Sequence, residues 1–445
     1  MLERYSLPEM TRIWSEQFKL QTWFRIEVLA CEGRTKLGEL DGDIVKAFWA
    51  IEPETFDEQR IKQIEAEVNH ESVAFQMYIE ELVDDKCHGI FHRGLTSSDV
   101  LDTCYNYQLK EASDLIIAKL QNLAAEFKRL ALEHKLTPCI GRSHGIHGEP
   151  ITFGLKMLRA YAETQRNISR LEHAKKEISV GMISGAMGTY STINPEVEKH
   201  VCKQMGLEPE SISSQIIPRD RHAMYFSTLG VVAASLERVS IELRQLQITE
   251  IGEIQEPFST KQKGSSAMPH KKNPIKLENV SGLSRLIQTY VSAALGNVSL
   301  WQERDMSHSS VERALGPDTT ITLDFATHRL TGILKGLVVD RHQMETNLEK
   351  LGGIAYSHRI LNTLTEKGVS KDEAYRMVQN SAFMSIEGDN NFRNALLKYK
   401  EIRNKLAHGY GYEHELADLF DLEYFQKEID GIYERVLGPE KRGTG

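Results

Sequence analysis

The segment Gly264-Ser265-Ser266-Ala267-Met268-Pro269-His270-Lys271-Lys272-Asn273-Pro274 gathers two adjacent hydroxyls, two lysines, an imidazole and a carboxamide. Its glycine and two prolines exclude a regular helix or strand, so it reads as a loop. Beside Gly264, backbone amides can approach a ligand closely, and Ser265, Ser266, Lys271, Lys272 and Asn273 place donors around them. Such a set grips a carboxylate and stabilises negative charge that develops on it. It is not a phosphate-binding P-loop, which requires Gly-Lys-Ser/Thr after a four-residue gap.

Four further polar islands stand at the ends of helical patterns, where function concentrates. His92-Arg93-Gly94-Leu95-Thr96-Ser97-Ser98-Asp99 opens a long breaker-free segment. Its hydroxyls and carboxylate are helix N-cap residues, and the same free amides make an anion site. Gly141-Arg142-Ser143-His144-Gly145-Ile146-His147-Gly148-Glu149-Pro150 carries two histidines. Glycines and a proline deny them a fixed helical face, and no HExxH pattern is present, so we expect no metal here. His144 suits a general acid, since an imidazole titrates near ~6.5, whereas His147 suits a structural, hydrogen-bonded role. Asn69-His70-Glu71 sits between two helical patterns. Trp301 to Arg313 carries Arg304 and Arg313 with Ser309 and Ser310, the composition of a phosphate clamp or of a charged helix surface. The glycines between Gly181 and Thr189 serve either close ligand approach or a helix connection.

Long helices must position these islands. Leu95 to Thr137 contains neither Gly nor Pro, and Ile116, Leu120, Leu123, Phe127 and Leu130 recur at alternating spacings of four and three. Leu229, Val232, Leu236, Val239, Leu243 and Leu246 repeat the pattern. Sustained stripes of this kind predict long helices packed side by side. Strand-like alternation is nearly absent, so the fold class is all-α. Three regions are expected: 1–95 and 341–445 with shorter helices, and 96–340 with the long ones. Gly352-Gly353 and Gly409-Tyr410-Gly411 punctuate the last region, and Lys441–Gly445 reads as a frayed tail.

At 445 residues the chain exceeds a single core. A formal net charge of -9 argues against nucleic-acid or membrane-surface binding, while leaving room for a local basic cleft. The five cysteines form no CxxC pair, which fits a reducing cytoplasm. The N-terminus shows no secretory pattern, and no apolar run is long enough to span a bilayer.

The 264–274 loop resembles, almost letter for letter, the signature loop of the fumarase/aspartase superfamily of lyases. The string Gly94-Leu95-Thr96-Ser97-Ser98-Asp99-Val100 is similar to its adenylosuccinate lyase branch, and the likeness spans essentially the whole chain. Arg4-Tyr5-Ser6, the His70 island, Arg142-Ser143-His144-Gly145, Gln215 before Arg219-Asp220-Arg221-His222, and the Arg304 island follow in the family's order. One departure is Glu71, where the family more often carries Asp.

The resemblance implies a three-domain all-α lyase with a central bundle of long helices, four subunits, shared active sites and no cofactor. It implies release of fumarate from succinylated purine nucleotides, namely adenylosuccinate and succinyl-aminoimidazole carboxamide ribotide. By the same resemblance Ser265 is the base and His144 the acid. His70, Lys271 and Glu278 join them as catalytic or support residues. Arg4, Tyr5, Asn69, Glu71, His92, Thr96, Ser97, Gln215, Ser266, Lys272, Asn273, Asn279, Arg304, Ser309, Ser310 and Arg313 are the expected substrate contacts. Two rivals remain: a superfamily relative acting on a non-phosphorylated substrate, which would not need the arginine set, and a non-catalytic helical scaffold, which would need none of these residues.

Overall fold

The structure is a computed structural model that describes residues 3–259, 261–388, 391–407 and 411–439. Gly409, Tyr410 and the tail at 441–445 therefore lie outside the described residues. The chain is all-α, as expected from the stripes. The breaker-free segment is a single helix, Ser97–Glu133, of 37 residues. Four more long helices follow: Phe153–Ile178, Arg219–Leu246, Ile275–Gly296 and Ser307–Lys335. Both predicted apolar stripes are buried along their whole length, from Ile116 to Leu130 and from Leu229 to Leu246. After residue 341 the helices shorten, the longest being Lys371–Glu387 at 17 residues.

The chain divides into two compact units, each made of three chain segments. The first comprises 1–123, 164–238 and 279–330; the second comprises 124–163, 239–278 and 331–445. Every segment boundary falls inside one of the five long helices, so each of these helices lends residues to both units.

The first unit contains an aromatic core in which Phe24, Phe56, Phe75 and Phe91 meet edge-on or stacked, with ring centroids 5.5–6.2 Å apart. Burial of these rings clamps helix Glu16–Lys36 to Glu71–Glu80, and so holds the two helices against each other. In the second unit Tyr356, Phe392 and Phe420 anchor the short C-terminal helices.

Strand content is small, in keeping with the near absence of strand-like alternation. The histidine island 141–150 forms an antiparallel hairpin, with Pro138–Ser143 paired to Ile146–Thr152. A register shift between Ile140 and Arg142 marks a bulge at Gly141, where a Cβ would come within 2.9 Å of the Glu149 carbonyl oxygen. Alternation is hidden because the bulge breaks the period and three consecutive positions at 147–149 of the second strand hold no buried residue.

Candidate active site

The first unit holds a cavity of about 320 Å³. Three helix N-termini line it. Ser15 caps Glu16–Lys36 by accepting the Phe18 amide at 3.2 Å, and His70 caps Glu71–Glu80 by accepting the Val73 amide at 3.4 Å. Helix Ser307–Lys335 contributes His308 and Ser309 from its first turn. Unpaired first-turn amides and helix dipoles give such a convergence a positive potential.

Lys19, Arg219, Arg304 and Arg313 line the cavity together with Glu16, Glu71, Asp102 and Glu312. Arg304 donates to Gln215 at 3.2 Å, while its Nε is buried with no hydrogen-bond partner among the described residues. Arg313 donates to Glu71 at 2.7 Å, and Lys19 pairs with the other oxygen of the same carboxylate. Burial works to raise the Glu71 pKa, but Lys19 and Arg313 outweigh it and hold the carboxyl below its ordinary value.

Under the cavity Arg219, nearly fully buried, serves two carboxylates. It donates to Asp102 at 2.5 and 3.0 Å and to Glu312 at 2.9 and 3.1 Å. One guanidinium cannot fully compensate both. Asp102 is driven up by burial, yet the Arg219 charge overrides this and keeps it ionised. Glu312 is left in deficit: burial, with the Asp102 charge adding, pushes it up to about 7. His308 is driven down to about 4 by burial and by Arg219, so it is neutral near pH 7.

The remaining expected residues of this unit are placed as follows. Thr96 and Ser97 start helix Ser97–Glu133; the Thr96 amide donates to Asp99 at 2.8 Å, half of a capping box. Asp99 also accepts the Ser184 and Gly185 amides at 2.8 and 3.2 Å, so the glycine-rich 181–189 segment docks its backbone on this cap. His92 is bonded to the buried Glu27 at 2.5 Å, and Asn69 ends helix Glu58–Val68 in the left-handed region at φ 51°. Arg4 is exposed in a short 3-10 turn. Tyr5 meets Phe325 edge-on at 5.5 Å, and Arg329, stacked on that same ring, donates to Asn279 at 2.6 Å. Ser310 is exposed, and Thr96, Ser97, His70 and Tyr5 do not line the cavity.

The second unit carries the other expected residues. His144 and Gly145 form the two-residue tip of the hairpin, with φ of 54° and 78°, the double positive φ of a type I′ turn. The tip exposes His144. Its stalk is held by Arg142, which donates to Glu253 at 2.6 Å; Asn347 donates to the same buried oxygen at 2.9 Å. His147 is half-buried, and burial with the nearby Arg142 charge lowers its pKa.

The 264–274 loop forms neither helix nor strand and folds back on itself. Asn273 donates to the Gly264 carbonyl at 3.1 Å, and Gln247 donates to that of Lys272 at 3.2 Å. The return is so close that a Cβ on Gly264 would lie 2.0 Å from the Lys271 carbonyl oxygen. Ser265 Oγ accepts two backbone amides, Ala267 at 3.3 Å and Met268 at 3.1 Å. Ser266, Lys271 and Glu278 are exposed, and Lys272 rests 5.6 Å over the Phe258 ring.

Sequence reasoning missed Lys19, Asp102, Glu253 and Glu312. Lys19, Asp102 and Glu253 lie in ordinary helical or connecting stretches and Glu312 inside the Trp301 to Arg313 island, and only the distant partner gives each its meaning. Asp102 and Arg219 are 117 positions apart. Among the described residues, no three of His, Cys, Asp and Glu group as a metal site, and no helix is long and apolar enough to cross a membrane.

Comparison with known proteins defines the class first. Residues 3–289 match the family model described as Lyase, and residues 353–436 match the one described as Adenylosuccinate lyase C-terminus. Solved structures share the fold. A fumarate lyase from Mesorhizobium sp. BNC1 superposes with a TM-score of 0.88 at 22% identity, covering 98% of this chain and 99% of that one. The 3-carboxy-cis,cis-muconate lactonizing enzyme from Pseudomonas putida gives 0.88 at 24% identity, covering 97% of each chain. Among curated proteins, the adenylosuccinate lyase of Bacillus subtilis (strain 168) is 42% identical over 98% of this chain and 99% of its own length. That of Synechocystis sp. is 44% identical over 98% of this chain and 100% of its own. The chain belongs to the adenylosuccinate lyase family.

Proposed function

We propose that this chain eliminates fumarate from adenylosuccinate, giving AMP, and from succinyl-aminoimidazole carboxamide ribotide, giving the free carboxamide ribotide. Both reactions break a C–N bond after removal of a weakly acidic proton next to a carboxylate. The negative charge flows into that carboxylate, so donors must be aimed at it beforehand. Lys271 and the amides of the 264–274 loop supply them, with Asn273 holding the loop shut.

The observation that carries this reading is the Ser265 hydroxyl, whose Oγ accepts the Ala267 and Met268 amides. A serine is a poor base because its resting pKa is high. Two N–H groups aimed at Oγ favour the alkoxide and so support Ser265 as base. His144, displayed on the hairpin tip, protonates the departing nitrogen, and His70, Lys271 and Glu278 support the succinyl group. Arg304, Ser309 and Arg313 hold the substrate phosphate, a role a non-phosphorylated substrate would not need.

The sites are shared within a homotetramer. Met224 and Val231 on helix Arg219–Leu246, and Leu286 and Leu295 on Ile275–Gly296, expose large apolar side chains that partner helices would cover. A 37-residue helix spans about 55 Å at ~1.5 Å per residue, so its two ends cannot serve one centre. All five cysteines are free and buried, which accords with a reducing cytoplasm.

The test is ultraviolet absorbance of purified protein with adenylosuccinate, following AMP and fumarate, with and without EDTA. Turnover that EDTA leaves unchanged is expected. No turnover of either nucleotide would refute the activity, and loss with EDTA restored by a divalent ion would refute its independence of metals.

A further inference from the structure

In the first unit's cavity, Arg313 and Lys19 are two of the four lining cations, and neither is free. Both close on the carboxylate of Glu71, the first residue of its helix, where the dipole also favours an anion; Lys19 pairs with Glu16 as well, at 2.8 Å. Glu71 and Lys19 are half-buried there, whereas the Arg313 side chain is 68% exposed. Arg304 also lines the cavity, but its guanidinium already donates to Gln215 and to Met306 Sδ.

We propose that Glu71 is the resident anion of this cavity: its carboxylate occupies Arg313 and Lys19 until a phosphate displaces it, which makes Lys19 a phosphate contact and Glu71 the residue that sets selectivity for dianions. The inference rests on the proposed phosphate role of the Arg304 island. Its physical basis is competition. A carboxylate offers one negative charge and two oxygens; a phosphate monoester near neutral pH offers close to two charges and three oxygens. Only the latter has the charge and the third oxygen to hold Arg313 and Lys19 together and still accept from the first-turn amides of helix Ser307–Lys335, whose His308 and Ser309 line the cavity. A monoanion leaves the resident pair in place. The glutamate arm matters, because it is long enough to bridge two cations that arrive from different helices.

The experiment is isothermal calorimetry with AMP and with adenosine, on the wild type, Glu71→Gln and Glu71→Asp. Removing a resident carboxylate from a partly exposed pair corresponds to about 1 kcal/mol, or roughly fivefold in affinity. Glu71→Gln should therefore bind AMP about fivefold more tightly while adenosine is unchanged. Glu71→Asp, whose shorter arm cannot hold both cations, should show a smaller gain in the same direction. In Glu71→Gln with Arg313→Ala the gain should vanish. Wild-type AMP binding with no gain in either single variant, both folded by thermal melting, overturns the displacement and leaves the functional reading intact. A gain shared equally by adenosine overturns it too. If no form binds AMP, the functional reading fails and carries this inference with it.

Discussion

Replacing Gly264 by Ala tests whether the 264–274 loop acts through its closed shape. The glycine's φ lies outside the positive region, so alanine suffers no backbone penalty and the effect is purely steric. Its Cβ would lie 2.0 Å from the Lys271 carbonyl oxygen, 3.1 Å from the Lys271 carbonyl carbon and 3.2 Å from the Lys272 Cα. Carbon and oxygen sit at roughly 3.5 Å in contact, so one limb of the loop must retreat by more than 1 Å. All three clashing atoms are backbone, so no rotamer change relieves them. The retreat breaks the Asn273 to Gly264 hydrogen bond and shifts Ser265 relative to Lys271. A displacement of about 1 Å in a reacting constellation costs on the order of 10²-fold. Stability should barely change, because the loop is largely exposed and outside every buried cluster. The measurement is steady-state absorbance kinetics on adenylosuccinate beside a thermal melt. We expect kcat to drop about 10²-fold with Tm within a degree or two. A kcat within threefold of wild type would refute the argument that loop closure positions the base. A collapse of Tm would show instead that the loop supports the fold.

Ser265→Ala and His144→Ala should each lower kcat by at least ~10²-fold while AMP still binds; near-normal kcat in Ser265→Ala would move the base role, with Ser266 the next candidate. Mixing these two inactive proteins under conditions of subunit exchange should restore partial activity if the two residues meet across subunits, and verified hybrids with no recovery would count against sharing. Glu312 holds its proton to about 7 in the folded chain, against 4.5 for the ordinary carboxyl, so the folded state binds more protons across that window. Its stabilising contribution is full below about 4.5 and is lost as pH rises towards 7, at most about 3 kcal/mol for a shift of that size. Urea unfolding at pH 5 and pH 7.5 should therefore show a steeper loss for the wild type than for Glu312→Gln; parallel losses would exclude Glu312 as the source.

Some of this protein was legible from the chain alone. The stripes from Ile116 to Leu130 and from Leu229 to Leu246 encode helices because amphipathic periodicity is a local property, and burial of those same residues follows from it. The loop character of 264–274 was equally local, since Gly and Pro act on their own backbone. Family likeness came from motif order, another one-dimensional signal. The hairpin at 138–152 was not legible, because the Gly141 bulge and a second strand with only two buried positions erase the alternation that announces a strand. Nor could the sequence disclose that one guanidinium, Arg219, must serve both Asp102 and Glu312, or that Glu71 would take the arginine expected to hold phosphate. Glu71 and Arg313 stand 242 positions apart, and their pairing exists only because the aromatic core holds one helix in place and the bundle holds the other. Periodicity names the elements; which charges face each other is decided by packing, because electrostatic pairing depends on distance in space and not along the chain.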